Sequence, residues 1–181
     1  MSAPAVAAQP AGTNRFRSVK VLKVVVNSGV GESGEPRSKA ERVLQMVTHQ
    51  KPVATRAKST NRDFGIREGQ EIGCKVTLRG DAAMDFLNRA LEARDRQLDP
   101  RSIDRQGNFS FGVADYTDFA GMKYDPEIGV RGMDVTVELG RPGWRIRDRA
   151  LRSHPLPHSV RVSRDEARAF LLNELKVTFL E

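Results

Sequence analysis

The chain reads as an α+β fold, a mostly antiparallel sheet with helices packed on one face, and three observations predict it. Several short runs alternate apolar and polar residues, the period of a strand with one face covered. Other segments place apolar residues at i, i+3, i+4 and i+7, the period of a helix that buries one stripe. The order of these segments, β-α-β-β-α-β-β-α, sets strands next to strands, as an antiparallel sandwich with helices does. At 181 residues the chain is long enough to bury one core and short for two independent ones. A single α+β domain is expected over residues 15–181.

Residues 1–14, rich in Ala, Pro, Gly and Ser, carry no period and read as a disordered tail, with the fold starting near Phe16. From Val19 to Val26 the chain is apolar at nearly every position, which predicts a strand covered on both faces. Pro36 suits a first helical turn, and Ala40, Val43, Leu44 and Val47 give the following helix its stripe, ending near His49. "KPVATRAKS" reads as a second strand and "NRDFGIREGQ" as a polar loop with two glycines. In "EIGCKVTLRG", Cys74, Val76 and Leu78 face one way and Lys75, Thr77 and Arg79 the other. A helix from Asp81 follows, striped by Met84, Leu87 and Leu91. "GNFSFGV" and "GMDVTVELG" are two further strands, with Phe109, Phe111 and Val113, then Met133, Val135, Val137 and Leu139, turned inward. A basic, Pro-punctuated extension begins at about 141. It leads to a helix opened by a capping box, Ser163 with Glu166, and striped by Ala167, Phe170, Leu171 and Leu175.

Gly29, Gly31 and Gly34 spell G-x-G-x-x-G between the first strand and helix, which raises a nucleotide-dependent enzyme as one reading. A dinucleotide site also needs a parallel βαβ unit and an acidic residue about 20 positions on. Here Arg56 and Lys58 stand where that acid belongs, and Glu32 and Glu35 sit where phosphate would approach. No Gly-Lys-Ser/Thr follows to make a phosphate loop. The glycines read more simply as a tight turn needing positive φ.

Composition points to a polyanionic partner. The net charge is +7, carried by 22 Arg and 8 Lys with a pI near 10.0, and Arg is the residue that forks onto phosphates. Cys74 is the one cysteine, so no internal disulfide or cysteine-rich zinc site is possible; it reads as a small core residue. Pro155 and Pro157 break any helix that would bring His154 and His158 together as metal ligands, and His49 suits a helix end. Asp115, Asp118 and Asp125 read as solvated loop acids. No catalytic constellation, metal site or cofactor is expected. No run reaches the roughly 18 apolar residues of a membrane span, and no signal peptide precedes the fold, so a cytoplasmic protein is expected.

Two readings of RNA binding remain. Phe109 and Phe111 share a face, as base-stacking aromatics do in a free-standing single-stranded RNA binder; with no aromatic partner on the first strand, they read more simply as core. The basic residues carry more. Arg56, Lys58, Arg62 and Arg67 crowd the second strand and its loop, while Lys75, Thr77 and Arg79 line the polar face of the next. Cations interleaved with hydrogen-bonding side chains suit a phosphate backbone and its 2′-hydroxyls.

The blocks "VVVNSGVGE", "QKPVATRAKST", "FGIREGQEIGCKVTLRG", "GNFSFGV" and "MKYDPEIGVRGMDV" stand in one order from Val24 to Val137, and together they resemble the large-subunit ribosomal protein L5 family. The continuation "RPGWRIRDRALRSHPLPHSVRVSRDEARAF" is similar to the archaeal and eukaryotic branch. The resemblance implies a structural RNA-binding protein of the ribosome, distantly like an RNA-recognition motif and without catalysis. It implies that Asn27, Gln50 and Thr77 contact 5S rRNA in the central protuberance; Arg56, Lys58, Lys75 and Arg79, read from the charge pattern, are the expected rRNA-binding cations. It also implies that the loop carrying Thr60, Arg62, Phe64 and Arg67 reaches the elbow of the P-site tRNA. Implied partners are large-subunit rRNA, a protein of the small-subunit head and neighbouring central-protuberance proteins, with the basic extension lying against rRNA. Ala120 departs from the Pro common at that position, and "SHPLPHS" from the usual Gly-rich linker.

Overall fold

The computed structural model describes residues 17–180; the tail expected at 1–14 and the start of the fold near Phe16 lie outside them. Strand β1 (Lys20–Gly29) leads to helix α1 (Glu35–Thr48), then β2 (Val53–Arg56), β3 (Glu71–Leu78) and α2 (Asp81–Glu92). Next come β4 (Gln97–Leu98), β5 (Phe109–Val113), β6 (Met133–Gly140), α3 (Arg145–Asp148), α4 (Arg164–Asn173) and β7 (Thr178–Phe179). Five strands form one sheet in the order β2-β3-β1-β6-β5, and each neighbouring pair is antiparallel. This is the α+β sheet that the alternating runs predict.

The period of two separates the faces. Val24 and Val26 of β1 pair with Leu78 and Val76 of β3 and with Val137 and Val135 of β6, and all six side chains are buried. Phe109, Phe111 and Val113 of β5 continue this face opposite Val137, Val135 and Met133. Helix α1 covers it with Ala40, Val43, Leu44 and Val47, and α2 with Ala83, Phe86, Leu87, Ala90 and Leu91. Ala167 and Leu171 of α4 join the same cluster. The outer side of α1 is laced by Lys39–Glu35 at 2.9 Å and Arg37–Glu41 at 2.8 Å, both i,i+4 pairs. Its C-terminus turns at His49, left-handed at φ 55, whose N–H donates to the Gln45 carbonyl.

Four expectations are corrected. β1 is buried on one face only: Lys23, Val25 and Asn27 are half-exposed, because α1, α2 and α4 pack on the other side of the sheet. The stripe of α2 is rotated, with Phe86 buried 5.9 Å from the Phe119 ring and Met84 only half-buried. The second strand is shorter than "KPVATRAKS" predicts, since only Val53–Arg56 pair with β3, with a bulge at Thr55/Arg56. The last helix stops at Asn173, so Leu175 is buried from the chain beyond it. That chain forms β7, parallel to β4, and the carbonyl of Arg96 accepts from the Thr178 N–H at 2.8 Å. Two residues per strand are too few for a legible period, which is why this ribbon is absent from the sequence reading.

Gly73 fixes the packing of β3 on β1. A Cβ there would stand 2.9 Å from both the Ser28 carbonyl oxygen and Thr55 Oγ1. Gly73→Ala should therefore destabilise the fold by about 1–3 kcal/mol through overpacking, measured as a lower denaturation midpoint at unchanged slope.

Candidate nucleic-acid interface

The face of the sheet opposite α1, α2 and α4 is open except at its Lys23 end, where α3 lies, and the pairing register says which side chains meet on it. Asn27 of β1 stands between Lys75 of β3 and Asp134 of β6, with Val53 beyond Lys75 and Gly112 beyond Asp134. The next row holds Thr77, Val25, Thr136 and Ser110. A third pairs Lys23 with Glu138. Lys75, Thr77, Arg79, Asp134, Thr136 and Ser110 are exposed. The structure thus brings together Asn27, Lys75 and Thr77, with Arg79 directly following β3. Side chains paired across antiparallel strands lie about 5 Å apart at Cβ, close enough to engage one strand of a polymer.

Charge divides this face. Glu138 accepts from Lys23 at 2.6 Å and from Arg147 at 3.4 Å. Arg147 lies 4.2 Å over the Trp144 ring and hydrogen-bonds Asp148 at 2.9 Å, which holds the Asp148 carboxyl below the usual carboxylate range. The start of the basic extension is therefore folded onto the Lys23 end of the sheet, its charges internally compensated. Lys75 and Arg79 make no ion pair among the described residues, and the Asn27 amide has no intramolecular hydrogen bond there.

The other expected residues sit apart. Gln50 is exposed just before β2, whose first residue pairs with Lys75, so the chain reaches the sheet edge on the Thr77 side. Arg56 is paired with Glu71 at 3.5 Å, and Glu71 also holds Arg37 of α1; this side chain leans toward the helices rather than onto the open face. Lys58 opens a finger closed at its base by Ala57 N–H to the Gln70 carbonyl and Gly69 N–H to the Ala57 carbonyl. A bridge between Asn61 and Ile66 and a turn at Gly65, φ 64, finish it. Thr60 Oγ1 accepts from the Glu68 N–H at 3.0 Å, a stem contact. Phe64 at the tip is 76% exposed, between the exposed Arg62 and Arg67.

Asp134, Thr136 and Ser110 were missed by sequence reasoning. Their signal was present: they are the outward positions of the alternating strands whose inward positions define the core. What was lacking was the register that sets β6 beside β1.

The glycine turn is no phosphate site. β1 has only antiparallel neighbours, so the parallel unit a dinucleotide requires does not form. Its N–H groups are spent as well: Val30 and Gly31 both donate to the Ile72 carbonyl, at 3.0 and 2.9 Å. Gly31 and Gly34 take φ 81 and φ 95, as a tight turn demands. Phe109 and Phe111 stack on each other at 6.4 Å and are 1% and 8% exposed, so no base stacks on them. Among the described residues no His, Cys, Asp or Glu cluster suits a metal ion, and no helix is long and apolar enough to cross a membrane.

Comparison with known proteins agrees over nearly the whole chain. Residues 14–67 match the family described as ribosomal protein L5, and residues 71–179 match the model of the same ribosomal family's C-terminus. The chain is 48% identical over 166 residues to the large ribosomal subunit protein uL5 of Thermoplasma volcanium, covering 91% of this chain and 98% of that one. It is 45% identical to the uL5 protein of Picrophilus torridus (92% and 96% covered). To the uL5 protein of Methanoculleus marisnigri it is 48% identical (90% and 97% covered).

Cys74 belongs to the core: burial pushes its thiol up to about 11. In the unfolded chain the thiol ionises from about pH 9, so stability should fall as pH rises from there toward the folded value. A thiol reagent at pH 8 should leave the native protein unlabelled and react once it is denatured.

Proposed function

The chain belongs to the ribosomal protein L5 family, with archaeal relatives, and on that premise we propose that it is a structural protein of the large ribosomal subunit that binds 5S rRNA through the open sheet face. The carrying observation is that Lys75, which makes no ion pair among the described residues, stands directly beside Asn27, whose amide is unpartnered there, with the exposed Thr77 in the next row and the exposed Arg79 beyond it. Cations neutralise phosphates and supply most of the affinity, whereas the amide and hydroxyl fix register. Gln50 extends the contact around the sheet edge. No step of catalysis is involved; the protein acts by holding RNA in place.

In this reading the finger is a separate contact. An exposed aromatic ring flanked by Arg62 and Arg67 suits the backbone and bases of a structured RNA, and we assign it to the elbow of the P-site tRNA. The remaining surface meets large-subunit rRNA, neighbouring proteins of the central protuberance and a protein of the small-subunit head, with the protein located on cytoplasmic ribosomes. The support is the family's pattern carried by this chain's own motifs, together with the exposure of these residues.

Titration of 5S rRNA against an unrelated structured RNA at one salt concentration tests the assignment; equal affinities would remove it. Lys75→Gln and Arg79→Gln should each lower the salt slope by about one. Thr77→Val should weaken 5S binding by about 2–10-fold, the value of one hydrogen bond, with the thermal transition unchanged. Phe64→Ala should leave 5S affinity intact and weaken P-site tRNA retention in assembled ribosomes.

A further inference from the structure

Beside Asn27 the open face is hollowed into a groove of about 520 Å³, lined by Asn27, Gly29, Gly112, Gly132, Asp134 and Arg94 among others. Three of these positions carry no side chain, so the floor is backbone and a planar group can approach it closely. Arg94 sits at the end of the groove just beyond α2 and is exposed. Asp134 is the anomaly. It is an exposed carboxylate on this face and, unlike Glu138, which Lys23 and Arg147 hold, it makes no ion pair among the described residues. A carboxylate repels phosphate, so what it takes from RNA must be a hydrogen-bond donor.

We infer that Asp134 and Asn27 together read the Watson–Crick edge of an unpaired guanine; the inference rests on the RNA-binding reading above and names what that face recognises. The base edges differ in their order of groups. Guanine presents an acceptor, O6, followed by two donors, N1–H and N2–H. Adenine, cytosine and uracil each place an acceptor where one of those donors stands. The two oxygens of Asp134 match the adjacent donors, and the amide nitrogen of Asn27, its direct partner across the β1–β6 ladder, donates to O6. Unpaired bases in loops and bulges are the usual objects of sequence-specific RNA recognition. Arg94 supplies a cation for the phosphate of the same nucleotide. Gly112 leaves the space: a Cβ there would reach 3.7 Å from Asp134 Oδ1, and anything longer would stand where the base edge must lie.

The test turns on sign. If Asp134 were only a charge near a polyanion, Asp134→Asn would tighten binding to every RNA. As a guanine reader, Asp134→Asn presents a donor to a donor, so 5S rRNA affinity should fall about tenfold, while affinity for an unrelated structured RNA stays level or rises. On wild-type protein, a 1,2-dicarbonyl reagent that caps N1 and N2 of unpaired guanine should show at least one 5S guanine protected; this readout does not depend on the variant's folding. Loss of that protection with Asp134→Asn completes the assignment. Unchanged or tighter 5S binding by Asp134→Asn, or no guanine protected by the wild type, overturns it while wild-type preference for 5S rRNA stands. Absence of that preference would sink the 5S reading itself, and this inference with it.

Discussion

The structure depends on β1 holding its register between β3 and β6. Because strand side chains alternate with a period of two, a slip of one residue would carry Lys23, Val25 and Asn27 into the core and Val24 and Val26 into water. Each exchange that buries a polar or charged group without a partner would cost far more than a lost contact. The register is held from both sides, by the pairing of Asn27 with Lys75 and with Asp134. One arrangement of the backbone thereby fixes both the apolar face that folds the protein and the polar face opposite it.

The polar face is shaped as much by its acids as by its cations. Glu138 is bound by Lys23 and Arg147, so it neutralises the end of the sheet where the basic extension crosses and anchors that extension through Trp144 and Arg147. Gly140 allows this approach, since a Cβ there would meet Leu22 Cδ1 and the Trp144 ring. The opposite end keeps Lys75 and Asp134 without intramolecular ion pairs among the described residues. Charge is thus arranged unevenly over this face: one end is internally balanced, and the other offers separated charges of both signs. Exposed pairs of this kind add little stability, so the balance bears on recognition more than on folding.

The sequence made the inward faces legible wherever a run was long enough to count. Cys74, Val76 and Leu78 are all buried, and the capping box of Ser163 and Glu166 forms as its spacing implies. The length of β1's apolar run misled, because a bulge between Val21 and Lys23 breaks the alternation, with Val21 packed against the core and Val25 half-exposed on the open face. Asn27, Lys75 and Thr77 were legible as separate positions. Their convergence was not, since pairing between strands far apart in the chain leaves no local mark. Arg56 shows the converse: its 3.5 Å pairing with Glu71, a carboxylate that α1 also holds through Arg37, joins residues from three elements and left no mark in the sequence.

The finger is fastened at its root to the glycine turn. Gln70 donates through its side chain to Ser33 Oγ at 3.2 Å, and Ile72, two residues on, receives both N–H groups of Val30 and Gly31. The root of the finger, the strand-to-helix turn and the central strand are therefore tied together, so the turn that launches α1 also sets where the finger leaves the sheet, with Phe64 at the end away from that tie.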